Sequence, residues 1–191
     1  VKEMGAGARG VIVSLDDEGA LVATEPSDVA FTGDKGLEGI VWLDDLERLL
    51  VLCEEKACGN RGGGPDLGVL KALRHEGGSW VTEATLSLPA LAAFDDFSDV
   101  AVIPESDGAY RIAVLSQESA ALWLGTLTTR PLAITGPGIV YGFPKAGDGT
   151  KYSSLEGVTF IDRTTLGMAS DRSKGDSGCG KGEAVHVFAL P

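Results

Sequence analysis

Histidine is scarce in this chain. There are two, His75 and His186, in 191 residues. The three cysteines, Cys53, Cys58 and Cys179, form no CxxC, so a zinc site of the usual imidazole and thiolate kind has little to draw on. An odd number of cysteines also argues against a disulfide framework. Cys53 and Cys58 are close enough in sequence to pair, leaving Cys179 alone; three free thiols is the simpler expectation. Bases are outnumbered, 16 against 28 acids, for a net charge of −12. Such a surface repels phosphate backbones and anionic headgroups, and no basic stripe with interleaved aromatics is present, so nucleic acid is not expected as a partner. No run approaches the roughly 20 apolar residues of a membrane helix, and no targeting peptide is recognisable at the start. The acidity fits a lumenal or secreted setting and the cytosol equally. It is also unevenly spread. Residues 1–100 hold 19 acids and 8 bases, a balance of −11, whereas residues 101–191 hold 9 and 8, a balance of −1.

What the chain does have is glycine, 27 residues of it, between short β-rich runs. Those runs include Val11–Leu15, Ala20–Thr24, Ala101–Ile103, Arg111–Leu115, Val158–Ile161 and Ala184–Leu190. Gly, Asp and Pro clusters separate them, which predicts an all-β fold with many turns. Asp16-Asp17-Glu18-Gly19 lies between two apolar runs and predicts a hairpin connection. Only Asp44 to Lys56 has a helical look.

Internal similarity overrides that look. Gly36-Leu37-Glu38-Gly39-Ile40-Val41-Trp42, Asp96-Phe97-Ser98-Asp99-Val100-Ala101-Val102 and Ser154-Leu155-Glu156-Gly157-Val158-Thr159-Phe160 align. Glu38, Ser98 and Glu156 are then equivalent. After each motif come a polar turn and a second apolar run: Arg48–Cys53, Tyr110–Ser116 and Thr165–Ser170. Third runs follow at Leu67–Leu73, Ala120–Leu127 and Val185–Leu190. The first two units have fourth strands near Trp80–Leu86 and Leu132–Tyr141. Four short antiparallel strands per repeat describe a β-propeller blade. Asp44–Lys56 becomes a turn and a strand. Residues 1–9 read as a flexible Gly-rich leader, and 10–191 as the C-terminal part of a propeller. Residues 10–31 resemble the outer two strands of a blade. Two whole blades follow, and the last lacks its outermost strand. That makes a partial ring of about three to four blades, while closed propellers have about four to eight. The missing blades are expected on a longer chain, since this one opens on Val1 and not on methionine, or on a partner.

At these residues the sequence resembles the SdiA-regulated family of six-bladed β-propellers, in particular its plant- or alga-like members. The motifs that carry the likeness are Gly36–Ile40, Phe97–Val100 with Val114–Ser119 behind it, Leu155–Phe160, and the closing segments Ala169–Arg172 and His186–Pro191. The resemblance spans roughly residues 10–191. It implies a six-bladed fold and no defined reaction.

Equivalent positions of successive blades converge on a propeller's central channel. Glu38, Asp99 and Glu156 are therefore candidate channel-mouth carboxylates for Ca²⁺, a hard cation that takes several oxygen ligands. The plainer expectation is that they accept backbone N–H bonds where the inner strands begin. Asp99 is one position out of step with the glutamates, which turns it to the other face. Gly175-Asp176-Ser177-Gly178 imitates a serine-protease loop, but Cys179 breaks the match, and neither histidine has triad context. Gly5-Ala6-Gly7-Ala8-Arg9-Gly10 matches GxGxxG but precedes a strand and not a helix, so no nucleotide site is expected. Gly59–Pro65 lacks the Lys-Ser/Thr of a phosphate loop. Trp42, Trp80 and Trp123 are expected to pack between blades. No complete catalytic constellation is visible. The expected function is a non-catalytic interaction or scaffold module, an accessory subunit of a larger complex with a protein partner. The alternative is a calcium-dependent hydrolase of the phytase-like kind, an analogy of fold alone.

Overall fold

A computed structural model describes residues 9–30, 36–53, 58, 67–105, 108–146, 149–152, 154–171 and 183–191. The fold is all-β, and among the described residues no α-helix occurs. It starts with a hairpin of β1 (Arg9–Leu15) and β2 (Leu21–Ala30). The Asp16 carboxylate forms its turn, accepting the N–H groups of Glu18 and Ala20 at 3.0 and 2.8 Å. Strand β1 includes Arg9, and the rest of the expected leader, residues 1–8, lies outside the described residues.

Two four-stranded antiparallel meanders follow. The first runs through β3 (Leu37–Leu43), β4 (Arg48–Cys53), β5 (Val69–Glu76) and β6 (Ser79–Ser87). The second runs through β7 (Asp99–Pro104), β8 (Ala109–Ser116), β9 (Ala121–Thr129) and β10 (Leu132–Gly142). A small ribbon, β11 (Lys145–Ala146) with β12 (Gly149–Thr150), leads to a three-stranded sheet of β13 (Ser154–Asp162), β14 (Thr165–Asp171) and β15 (Ala184–Ala189). The helix-like stretch resolves into a single 3₁₀ turn at Asp44–Leu46 and strand β4, as its place in the repeat requires. Gly77 and Gly78, both at positive φ, make the tight β5–β6 turn. His75 lies within β5.

Strand β2 also pairs in parallel with β6 through Ser27 and Trp80, so the hairpin and the first meander are one six-stranded sheet, in the order β1-β2-β6-β5-β4-β3. One apolar core lies inside this curled sheet, and two more lie between successive sheets. Ile12 and Val29 of the hairpin meet Val51, Cys53, Val69 and Leu73 of the first meander. Its other face, with Leu50, Leu52, Leu70 and Ala72, packs on Val100, Ile112, Val114 and Trp123. The far face of that second meander, with Ala113, Leu115, Leu122 and Leu124, packs on Leu155, Val158, Leu166 and Met168. Alternate residues of β8 and β9 thus serve two different cores, which is why both strands read as near-continuous apolar runs. The first strands of the sheets also meet, β3 against β7 and β7 against β13.

Cys53 and Cys58 form a disulfide, so of the two cysteine expectations the pairing is the one observed. It lies in the core that seats the hairpin. Two of the three tryptophans are buried as expected. Trp42 is the correction: it is 45% exposed and meets Trp80 edge to face.

Candidate functional site

The repeat motif has a clear physical job. The pairing of β3 with β4 slips between Leu37 and Gly39, and that of β13 with β14 slips between Leu155 and Gly157. Glu38 and Glu156 are therefore the extra residues of two equivalent β-bulges, which turn their side chains outward; both are exposed. The glycine after each glutamate leaves room for a neighbouring strand. A Cβ on Gly39 would lie 2.7 Å from the Val100 backbone nitrogen and 2.9 Å from Asp99 Oδ1.

Asp99 is the middle sheet's counterpart of those glycines, and its carboxylate fills the space between them. Oδ1 accepts the N–H of Val100 at 2.8 Å, and Oδ2 accepts the N–H of Val158, on β13, at 2.8 Å. One side chain thereby ties two sheets together. Burial pushes its pKa above the usual carboxylate range, opposed by the two backbone N–H bonds. The pH consequence follows from the sign. A carboxyl whose folded pKa is raised binds its proton more tightly in the folded state, so this group favours folding more as pH falls into the carboxylate range.

Around the start of β7 the polar groups serve the backbone as well. Buried Asp96 Oδ1 accepts the Ser116 hydroxyl at 2.5 Å and the Glu118 N–H at 2.9 Å. Ser98 Oγ accepts the Gln117 N–H at 3.0 Å. These bonds fasten the β7 approach to the β8–β9 turn. Glu156 has its pKa raised by desolvation and then by the charges of Asp96 and Asp171. The starts of β7 and β13 are thus an acidic neighbourhood.

Among the described residues no group of three or more His, Cys, Asp and Glu side chains is placed to hold one ion. Of the expected ligands Glu38, Asp99 and Glu156, the two glutamates occupy bulges and Asp99 spends both oxygens on backbone amides. The out-of-step position of Asp99 is the reason. It faces into the joint between sheets, while the glutamates face out.

Other candidate motifs contribute less. Ser177 and its loop, Gly5 to Ala8 and Gly59–Pro65 lie outside the described residues. His186 Nε2 does lie 3.0 Å from Ser170 Oγ. That hydroxyl, however, also reaches the Ala184 carbonyl at 3.3 Å and is buried, so it serves the β14–β15 ladder and not a substrate. A cleft of about 420 Å³ is lined by Asp45, Leu46, Gly108, Thr128, Thr129 and Arg130. Its two threonine hydroxyls donate to the carbonyls of Pro131 and Gly108, at 2.8 and 2.6 Å, and so belong to the turns. No helix among the described residues is long and apolar enough to cross a membrane.

Sequence reasoning missed two clusters. Glu25 on β2 accepts from Trp80 Nε1 at 3.0 Å and pairs with His75 Nε2 at 2.8 Å, fixing the hairpin beside β6. Phe143, Tyr152, His186 and Phe188 form an aromatic group under the last sheet. Neither has a local signal, because each joins residues from separate elements. No model of a known protein family matches the chain. No curated protein matches it either.

Proposed function

We propose that the chain is an arc of a β-propeller, similar to the SdiA-regulated family, and that it works as a non-catalytic interaction or scaffold module, an accessory subunit of a larger assembly. One observation carries this reading: successive meanders lie in series with their first strands β3, β7 and β13 side by side, as propeller blades do. The polar groups at those strand starts support the non-catalytic part. Asp96 and Ser98 accept backbone bonds from the β8–β9 turn, and Asp99 accepts one from the next sheet, a structural use of side chains that catalysis requires poised toward a substrate.

Two measurements test it. A crystal structure should have the two meanders and the last sheet fanned about one axis with β3, β7 and β13 innermost; a closed barrel or a flat stack would overturn the propeller reading. Phosphate release from a phosphomonoester, with and without Ca²⁺, should stay at background. Calcium-dependent turnover that disappears in Glu38→Gln and Glu156→Gln would replace the scaffold reading with a hydrolase.

A further inference from the structure

The β1–β2 hairpin is fastened to the first meander by very little backbone pairing. Strand β4 meets β5 over five register pairs, from Leu49 with Leu73 to Cys53 with Val69, and β5 meets β6 over eight. Strand β2 meets β6 at one, Ser27 with Trp80. Side chains make up the difference. Both Asp28 carboxylate oxygens accept the Thr82 N–H, at 3.0 and 2.9 Å, and Oδ1 also accepts the Thr82 hydroxyl at 2.7 Å. Glu25 adds its bonds to Trp80 Nε1 and His75 Nε2. The apolar seat is equally narrow, because Ile12 and Val29 are the hairpin's two buried hydrophobic side chains.

That seat contains the disulfide. Cys53 is fully buried and Cys58 is 9% exposed, and both belong to the apolar cluster that receives Ile12 and Val29. Cys53 is the last residue of β4, held in register with Leu37 on one side and Val69 on the other. Cys58 lies in no strand, and the S–S bond is its covalent tie to the core. Breaking that bond frees Cys58 while Cys53 stays in its sheet. The freed segment regains chain entropy, and the space it leaves forfeits packing contacts. Exchange with an outside thiol, for its part, depends on access to a sulfur. Local opening favours regions with few buried apolar contacts and little backbone pairing. In this sheet that region is the junction of β2 with β6.

We propose that Cys53–Cys58 is a redox latch on the β1–β2 hairpin: the disulfide seats the hairpin, and the hairpin shields the disulfide. The reductant is a dithiol. One of its thiolates attacks a sulfur of the S–S bond, which breaks as a mixed disulfide forms. Its second thiolate closes on the first and expels the remaining cysteine. The two electrons and two protons that the dithiol gives up end on Cys53 and Cys58, and the dithiol leaves as a cyclic disulfide. Opening of the hairpin uncovers Val51, Val69 and Leu73 together with the β6 edge at Trp80, so the surface available to a partner changes with redox state.

Two measurements on the folded chain test this. In the first, reduction by dithiothreitol without denaturant is quenched with iodoacetamide at intervals, and peptide masses follow Cys53 and Cys58. Asp28→Ala removes the Thr82 anchor from an exposed position and should speed reduction by about tenfold. Asp162→Ala removes an exposed carboxylate of the last sheet, one that accepts the Thr164 N–H at 2.7 Å, and should leave the rate within about twofold. In the second, amide exchange is compared between oxidised and reduced protein. The Thr82 N–H, which Asp28 of the hairpin accepts, should exchange about tenfold faster after reduction, and the amides of Ile112 to Leu115 should not change. Thr82 equally protected in both states overturns the latch. So does a reduction rate indifferent to Asp28→Ala, or raised as much by Asp162→Ala. Faster exchange in both meanders alike also overturns it, because the disulfide then holds the whole fold and not the hairpin. If Asp28→Ala does not fold by circular dichroism, the exchange comparison on the unaltered chain decides. Neither readout involves catalysis, so a hydrolase would sink the scaffold reading without touching this result.

Discussion

The second meander and the last sheet are built from the same kinds of strand, yet they differ in what surrounds them. In β7–β10 the central strands β8 and β9 are covered on both faces, and only β10 leaves an aliphatic side chain, Ile139, largely exposed. Trp123 is fully buried, and its indole N–H donates to the Pro137 carbonyl at 2.9 Å. In β13–β15 one face packs on Leu115 and Leu122, and the other leaves Val185 and Val187 exposed. The alternation of residues is the same in both. Whether an apolar side chain contributes to stability is therefore decided by the adjacent layer, not by the strand that carries it.

The sharpest way to break this comparison is truncation in each region. Trp123→Ala should cost about 3–5 kcal/mol in chemical denaturation. Val187→Ser should change monomer stability by no more than about 0.5 kcal/mol. Equal losses would mean that the last sheet is covered as fully as the second. A Cβ at Gly39 tests the joint between β3 and β7. Gly39→Ala drives it against backbone at Val100, and should cost about 1–3 kcal/mol. Gly157→Ala has its nearest neighbour at 3.4 Å and should cost less. The disulfide comes next. Replacing Cys53 and Cys58 together by Ala removes a short loop closure worth about 2 kcal/mol, measurable as a lower midpoint of unfolding.

The smallest effects are electrostatic. Asp99 and Glu156 both have raised pKa values, so both contribute a rise in stability as pH falls through the carboxylate range. Asp99→Asn should remove part of that rise. It should also weaken the joint at neutral pH, because an amide has one acceptor where the carboxylate offers two. Glu156→Gln relieves repulsion from Asp96 and Asp171 and should gain less than about 1 kcal/mol. Thermal unfolding of the three proteins from pH 4 to pH 7 checks both signs.

Much of the layer order was legible because it repeats. Residues Arg48–Cys53 are strand β4, and Thr165–Asp171 extends the expected second run of the last unit by one residue. The aligned Glu-Gly pairs were visible as well, but not their meaning. A bulge is a property of two strands, and nothing in Leu37-Glu38-Gly39 alone says that Cys53 and Leu52 will straddle it. The direction of Asp99 was hidden for the same reason. Where Asp99 points depends on the Val158 N–H, which is remote in sequence. Trp42 was misplaced because an aromatic in a strand carries no mark of which face will be covered.

The clamp at Asp99 has a consequence for synthesis. Each meander consists of consecutive strands, so its ladder can form as soon as those strands leave the ribosome. The Val158 amide that Asp99 receives is made 59 residues later. At translation rates of roughly 5–20 residues per second, that is a delay of about 3–12 s. In that interval the second meander has all its own strands, but the joint to the next sheet has no partner to close on. The order in which the sheets can be tied together is thus set by the order in which they are made.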